Sequence, residues 1–338
     1  MRSRQVHLRY DAAVGRRAAA CIALALVVSG LAVRAQPSSA SSNPFSGRRL
    51  YVDPNSSAHR QAETWRRSRP QDAALLDRIA SQPVARWLGD WSTNVAREVN
   101  DAVSTITSSG ALPVFVAYDI PYRDCGSYSA GGAGGAAAYR NWIGDFARGV
   151  SGRSAIVILE PDALAGMDCL PPAGRDERVS LIRGAVQTLK AQAASVYIDA
   201  GNARWQPAQV MATRLQQAGI AMADGFALNV SNFQPTSINV TYGEQISRLT
   251  GGKHFIIDTS RNGMAANSTE WCNPRGRALG VSPTTNTGHP LIDAFLWVKQ
   301  PGESDGTCNG GPRAGSWWAA YALELSRLAA TLTGVSTN

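Results

Sequence analysis

The chain has 338 residues, 44% hydrophobic and 17% charged, with a formal net charge of +8. Most of that charge lies at the front: residues 1–35 hold six Arg and one Asp, and the remainder carries 27 basic against 24 acidic residues, a net of +3. The Arg residues of the remainder are scattered among acids instead of forming a stripe, so nucleic acid is not an expected partner.

In chain order the first element is an address. Arg2, Arg4, Arg9, Arg16 and Arg17 form a basic head, Ala18 to Val33 an apolar stretch of 16 residues, and Val33-Arg34-Ala35 a small-residue cleavage site. A membrane span needs about 20 residues, so residues 1–35 read as a signal peptide. Cleavage and release outside the cell are expected, without stable membrane insertion; the alternative is an uncleaved N-terminal anchor. Residues 36–46 (QPSSASSNPFS) read as a short disordered lead-in. No further Pro/Ser-rich stretch divides residues 47–335, which are expected to form one domain and to act as a monomer.

Removing the leader leaves Cys125, Cys169, Cys272 and Cys308, an even number in an exported chain. That implies two disulfides, with three possible connectivities. Zinc is the rival reading, but the cysteines lack CxxC spacing and His7, His59, His254 and His289 form no HxH or HExxH set, so no metal site is expected.

Short β-rich runs then alternate with helical stretches. The runs are LYV (50–52), VARWLG (84–89), LPVFVAY (112–118), AIVIL (155–159), SVYID (195–199), GFALNV (225–230), HFIID (254–258) and AFLWVK (294–299). Amphipathic helices between them include residues 72–81, 136–150, 176–193 and 207–218. The alternation argues a parallel α/β sheet, and the near-continuous apolar strands argue burial on both faces. A closed β/α barrel suits the count better than an open sheet. No GxGxxG follows the first strand, and no cofactor is expected.

Six strand ends carry polar residues: Asp119 to Asp124, Glu160 with Asp162, Asp199, Asn229 with Ser231 and Asn232, Asp258 with Arg261, and Lys299 with Glu303 and Asp305. Asp and Asn favour turns and helix caps, which accounts for any single position. Six of eight ends is harder to explain that way. A barrel gathers those ends on one face, and convergent carboxylates are the working groups of glycoside hydrolysis. Trp87, Trp205 and Trp271 lie at or beyond strand ends, where an indole can cover the apolar face of a sugar ring. Trp65, Trp142, Trp297, Trp317 and Trp318 read as core.

The segments YDIPYRDC (118–125), ILEPDAL (158–164), YIDAGNARW (197–205), IDTSRNG (257–263), EWCNPRGRALG (270–280), TTNTGHP (284–290) and WVKQPGESDG (297–306) closely resemble glycoside hydrolase family 6, the endoglucanases and cellobiohydrolases that cut β-1,4-glucan with inversion. The resemblance implies a distorted, seven-stranded, TIM-like parallel barrel with its active site at the C-terminal strand ends, so one of the eight runs should lie outside the sheet. It makes Asp162 the general acid, with Asp124 keeping it protonated and Asp305 the other candidate base. The cationic Lys299 and Arg261 beside Asp305 suit a permanently ionised group and make it a poorer proton acceptor, so the base is assigned jointly to Asp124 and Asp305. Asp199, Arg261 and Ser129 fall in supporting positions. Tyr118 should press the sugar toward a distorted ring. Trp87 and Trp271 serve the non-reducing side of the cut and Trp205 the reducing side, with Asn202, Asn232, Lys299 and Glu303 as further sugar contacts. The implied disulfides are Cys125 with Cys169 and Cys272 with Cys308.

Two positions depart from the family pattern. Asn202 stands where His is usual, and Ala130 where a water-positioning Ser is usual, leaving Ser129 or Ser127 to substitute. The loop from Glu303 to Trp317 is short and Gly-rich, which favours an open cleft and internal cutting over the exo mode of the cellobiohydrolases. A glucan-binding protein without catalysis and a metal-dependent deacetylase are the rivals; the three aspartates oppose the first and the missing metal ligands the second.

Overall fold

The computed structural model describes residues 43–264 and 269–332. The expected signal peptide lies outside the described residues, as does residues 36–42 of the lead-in. Residues 43–46 form a turn in which Phe45 is fully buried. An aromatic ring removed from water stabilises the segment that its polar neighbours alone could not.

Strand β1 (Arg49–Leu50) pairs only with β3 (Ala111–Leu112), in a separate two-stranded sheet. The main sheet has seven parallel strands in spatial order β2 (Arg86–Gly89), β4 (Val114–Tyr118), β5 (Ala155–Leu159), β6 (Ala194–Asp199), β7 (Gly225–Leu228), β8 (His254–Asp258) and β9 (Ile292–Leu296). LYV is therefore the run outside the sheet. The edge strands β2 and β9 meet through one isolated parallel bridge, Val84 with Trp297, where the Ala85 N–H donates to the Trp297 carbonyl at 3.0 Å. Around that seam the Trp87 Nε1–H donates to the Val298 carbonyl at 2.8 Å.

Strand residues alternate between two apolar layers, as the pleat requires. Val116, Ile156, Ile158, Tyr197, Ala227, Ile256 and Leu296 share the inner layer with Phe45. Phe115, Val157, Leu159, Val196, Ile198, Phe226 and Phe255 face the helices. Helices α2 (Pro70–Ala80), α4 (Ala136–Val150), α5 (Pro172–Lys190) and α6 (Ala208–Gln217) match the expected stretches; α2 and α5 both begin at Pro, whose fixed φ suits the first helical position. A third cluster joins α1 (Ser57–Trp65), α2 and α8 (Ala319–Leu332), with Trp65, Trp297, Trp317 and Trp318 in or against it, and Trp142 packs on the helix-facing layer. Helix α3 (Val95–Ser108) lies in the connection after β2 and α7 (Thr236–Leu249) in that between β7 and β8. Among the described residues, no helix is long and apolar enough to cross a membrane.

Candidate active site

Three carboxylates at the strand exits reach sideways to neighbouring loops. Glu160, just after β5, accepts the N–H groups of Asp119 and Ile120 after β4, at 3.0 to 3.1 Å. Asp199, the last residue of β6, accepts the Asp162 N–H at 2.9 Å and its own loop's Gly201 N–H at 3.0 Å. Asp258, at the end of β8, accepts Ser231, Ser260, Val298 and Lys299 N–H groups. These three side chains are fully or almost fully buried. Their neighbours adopt left-handed backbone: φ is 54° at Asp124, 51° at Glu160, 67° at Asp162, 65° at Asn229 and 57° at Ser231. Such conformations cost about 1–3 kcal/mol each and persist where surrounding bonds over-determine them.

The outcome is a cavity of about 1720 Å³ lined by Asp124, Asp162 and Asp305 together with Trp87, Trp205 and Trp271. That exceeds the roughly 300–1,000 Å³ of a small-molecule pocket. Tyr118, Ser129, Asn202, Asn232, Lys299 and Glu303 line it too. Asp199 and Arg261 stand behind, both fully buried.

Asp162 turns its carboxyl into the cavity. Its pKa is held well above the ordinary carboxylate value by desolvation first, then by the charges of Asp199, Asp124 and Asp305. Asp124 is also raised by burial, against the Ser129 N–H that donates to its Oδ2 at 2.7 Å and against the Arg123 charge. Asp305 is in a different situation. Arg261 Nη1 lies 2.9 Å from both of its oxygens, and the Asn273 N–H donates to Oδ2 at 3.0 Å. The Asp305 N–H donates in return to Asn273 Oδ1 at 2.8 Å.

The aromatic walls follow. Tyr118 meets Trp87 edge to face at 5.2 Å, and Lys299 Nζ lies 5.9 Å from the Trp87 ring and 3.7 Å from Glu303. Asn202 is almost buried; its Oδ1 accepts the Arg204 N–H at 3.0 Å, which fixes the turn carrying Trp205. Ser129 uses its backbone on both sides, with its carbonyl accepting Arg123 Nε–H at 2.8 Å. The disulfides are Cys125–Cys169 and Cys272–Cys308, each tying together two loops of the cleft.

Two lining aromatics escape a reading of strand ends. Tyr128 reaches across the cleft: its ring lies against Gly306, where any Cβ would collide with it at 2.4 Å, and 6.0 Å from Trp271. Trp91 sits in the turn after β2, which the Ser92 N–H closes by donating to the Gly89 carbonyl at 2.9 Å, and is 53% exposed. Neither belongs to an apolar run, and a single aromatic within a turn gives no periodic signal.

The chain is similar to known proteins over the whole of this architecture. Residues 45–329 match the model of glycosyl hydrolases family 6. Endoglucanase A of Cellulomonas fimi is 47% identical over 84% of this chain and 62% of its own length. Endoglucanase A of Thermobispora bispora is 44% identical over 86% and 63%. The chain thus spans a little over three fifths of the length of these two relatives. The solved structure of the endoglucanase Cel6 from Mycobacterium tuberculosis, in complex with a methyl-cellobiosyl thio-cellobioside, superposes with a TM-score of 0.81 at 46% identity, covering 85% of this chain and 99% of that one. With the family model spanning both disulfides and every strand of the main sheet, this chain belongs to glycosyl hydrolases family 6.

Proposed function

We propose that this chain is an inverting endo-β-1,4-glucanase that hydrolyses cellulose or soluble β-1,4-glucans. One observation carries the reading: Asp162, whose pKa is raised by burial and by neighbouring carboxylates, lines a long cleft together with three indoles. The endoglucanase names of the relatives, and the thio-cellobioside in the M. tuberculosis complex, support the substrate class.

Asp162 gives its proton to the glycosidic oxygen as the C–O bond breaks. Water attacks the anomeric carbon from the opposite face and loses a proton to Asp124, so the product forms as the α-anomer. Asp124 suits the base better than Asp305, because a single amide holds one of its oxygens while Asp305 is engaged by Arg261 and Asn273. Asp305, held by Arg261 and Asn273, lines the cleft near the developing oxocarbenium ion. Trp87 and Trp271 on one side and Trp205 on the other hold the chain, Lys299, Glu303, Asn202 and Asn232 meet its hydroxyls, and Tyr118 presses on the ring beside Asp162.

Internal cutting is supported by the 303–317 loop, which folds back on itself: Glu303 bridges Trp317, and Ser304 N–H and Oγ bond the Ser316 and Pro312 carbonyls. Two disulfides fit an oxidising compartment, which supports an enzyme that acts after export.

Asp162→Ala is expected to lower turnover of unactivated glucan roughly 10²- to 10⁴-fold while leaving oligosaccharide affinity within a few fold. Rates on a substrate with a good leaving group fall much less. Near-normal hydrolysis of cellulose by this variant refutes the assignment of the acid. Proton NMR of the first product separates the outcomes further, since a β-anomer contradicts inversion, and cellobiose release with little viscosity loss contradicts only the internal mode.

A further inference from the structure

Trp91 is the most exposed Trp among the described residues and lines the same cavity as Asp162. A lone surface Trp needs no explanation. This one is held in place. It sits on Gly89, where an added Cβ would come within 2.7 Å of the indole, and the Arg123 guanidinium lies 5.3 Å from its ring. Arg123 is buried and pinned in turn by the Asp90 carboxylate at 3.1 Å, the Tyr118 carbonyl at 2.9 Å and the Ser129 carbonyl at 2.8 Å. The indole therefore has a fixed back and a bare front, and little freedom is left to lose when something covers it. A rigid indole with one free side is the surface that takes the apolar C–H face of a pyranose. The partly exposed Asp90 carboxylate beside it can accept from a sugar hydroxyl.

We infer that Trp91 forms an outer glucosyl-binding subsite on the β2 flank of the cleft, beyond the sugars held by Trp87 and Trp271. The inference rests on the glucanase reading and adds a chain-length preference to it: substrates long enough to reach Trp91 gain over shorter ones.

The test compares cellotetraose, cellopentaose and cellohexaose as substrates of the wild-type enzyme, Trp91→Ala and Trp91→Phe, with thermal midpoints as a check on folding. Trp91→Ala is expected to lower kcat/KM for cellohexaose relative to cellotetraose by roughly 3- to 10-fold, the range a single aromatic contact supplies. Trp91→Phe should recover most of that ratio. An equal loss at every length would assign Trp91 to holding Arg123 alone and overturn the subsite, as would no change at any length. A wild-type enzyme that cleaves none of the three sugars would instead sink the glucanase reading, and the subsite with it.

Discussion

The proton delivery proposed for Asp162 requires a carboxyl denied the stabilisation that water gives its anion, and two influences deny it here. Burial removes the solvent, and Asp199, Asp124 and Asp305 surround the site with like charge. Asp199 matters doubly, because its Oδ1 also holds the Asp162 N–H. An amide oxygen can keep that bond without the charge. Asp199→Asn should therefore lower the Asp162 pKa. The acid then loses its proton at lower pH, and the alkaline limb of the kcat/KM profile moves toward acid while the maximal rate changes less. A limb that stays in place, or moves toward alkaline pH, would show that Asp199 acts through structure alone.

Between elements, the decisive contacts are backbone ones. Arg178, almost buried on α5, donates to the Pro121 carbonyl at 2.6 Å and the Tyr122 carbonyl at 3.1 Å, and to the Ala163 carbonyl at 3.2 Å. One guanidinium thus ties the loop of Asp124 to the turn of Asp162. Arg178→Lys keeps the charge but cannot span three carbonyls. Misplacement of about 1 Å can cost 10²-fold in rate, so kcat should fall roughly 10- to 100-fold with KM little changed, in steady-state assays on soluble glucan. Loss confined to KM would argue against a positioning role. Much of this level was legible in advance. LPVFVAY and AIVIL announce buried strands because they are near-continuous apolar runs, HFIID sets three apolar residues between His254 and Asp258, and EPD after AIVIL places an acid at the rim. What Glu160, Asp199 and Asp258 do was not legible, because each serves the exit of another strand and that depends on register. Phe45 was hidden by the Ser-rich composition around it, and Trp91 by standing alone in a turn.

Over the whole molecule, the two disulfides close loops with separations of 44 and 36 residues. Each is worth about 4 kcal/mol in the chain-entropy model. Reductant should lower the thermal midpoint, and thiol titration of denatured, unreduced exported protein should find no free thiol. Two or more thiols would contradict the formation of both bonds. Because both disulfides lie at the cleft, reduction should also cost activity before it costs global folding, a sequence that parallel activity and circular-dichroism measurements can order.

The seam between β2 and β9 has a consequence for how the molecule breathes. One amide, that of Ala85, spans it from backbone to backbone, whereas the other neighbours in the sheet are stitched by several. Local opening takes the least free energy where the fewest bonds must part. The Ala85 amide should therefore exchange its hydrogen for deuterium sooner than amides in the middle of β5 or β6. Trp87 stands on one side of this joint and Lys299 on the other, so a bound glucan chain that touches both acts as a splint. Occupancy of the cleft should slow exchange at Ala85 more than anywhere else in the sheet, giving an isotopic report of ligand binding that requires no catalysis.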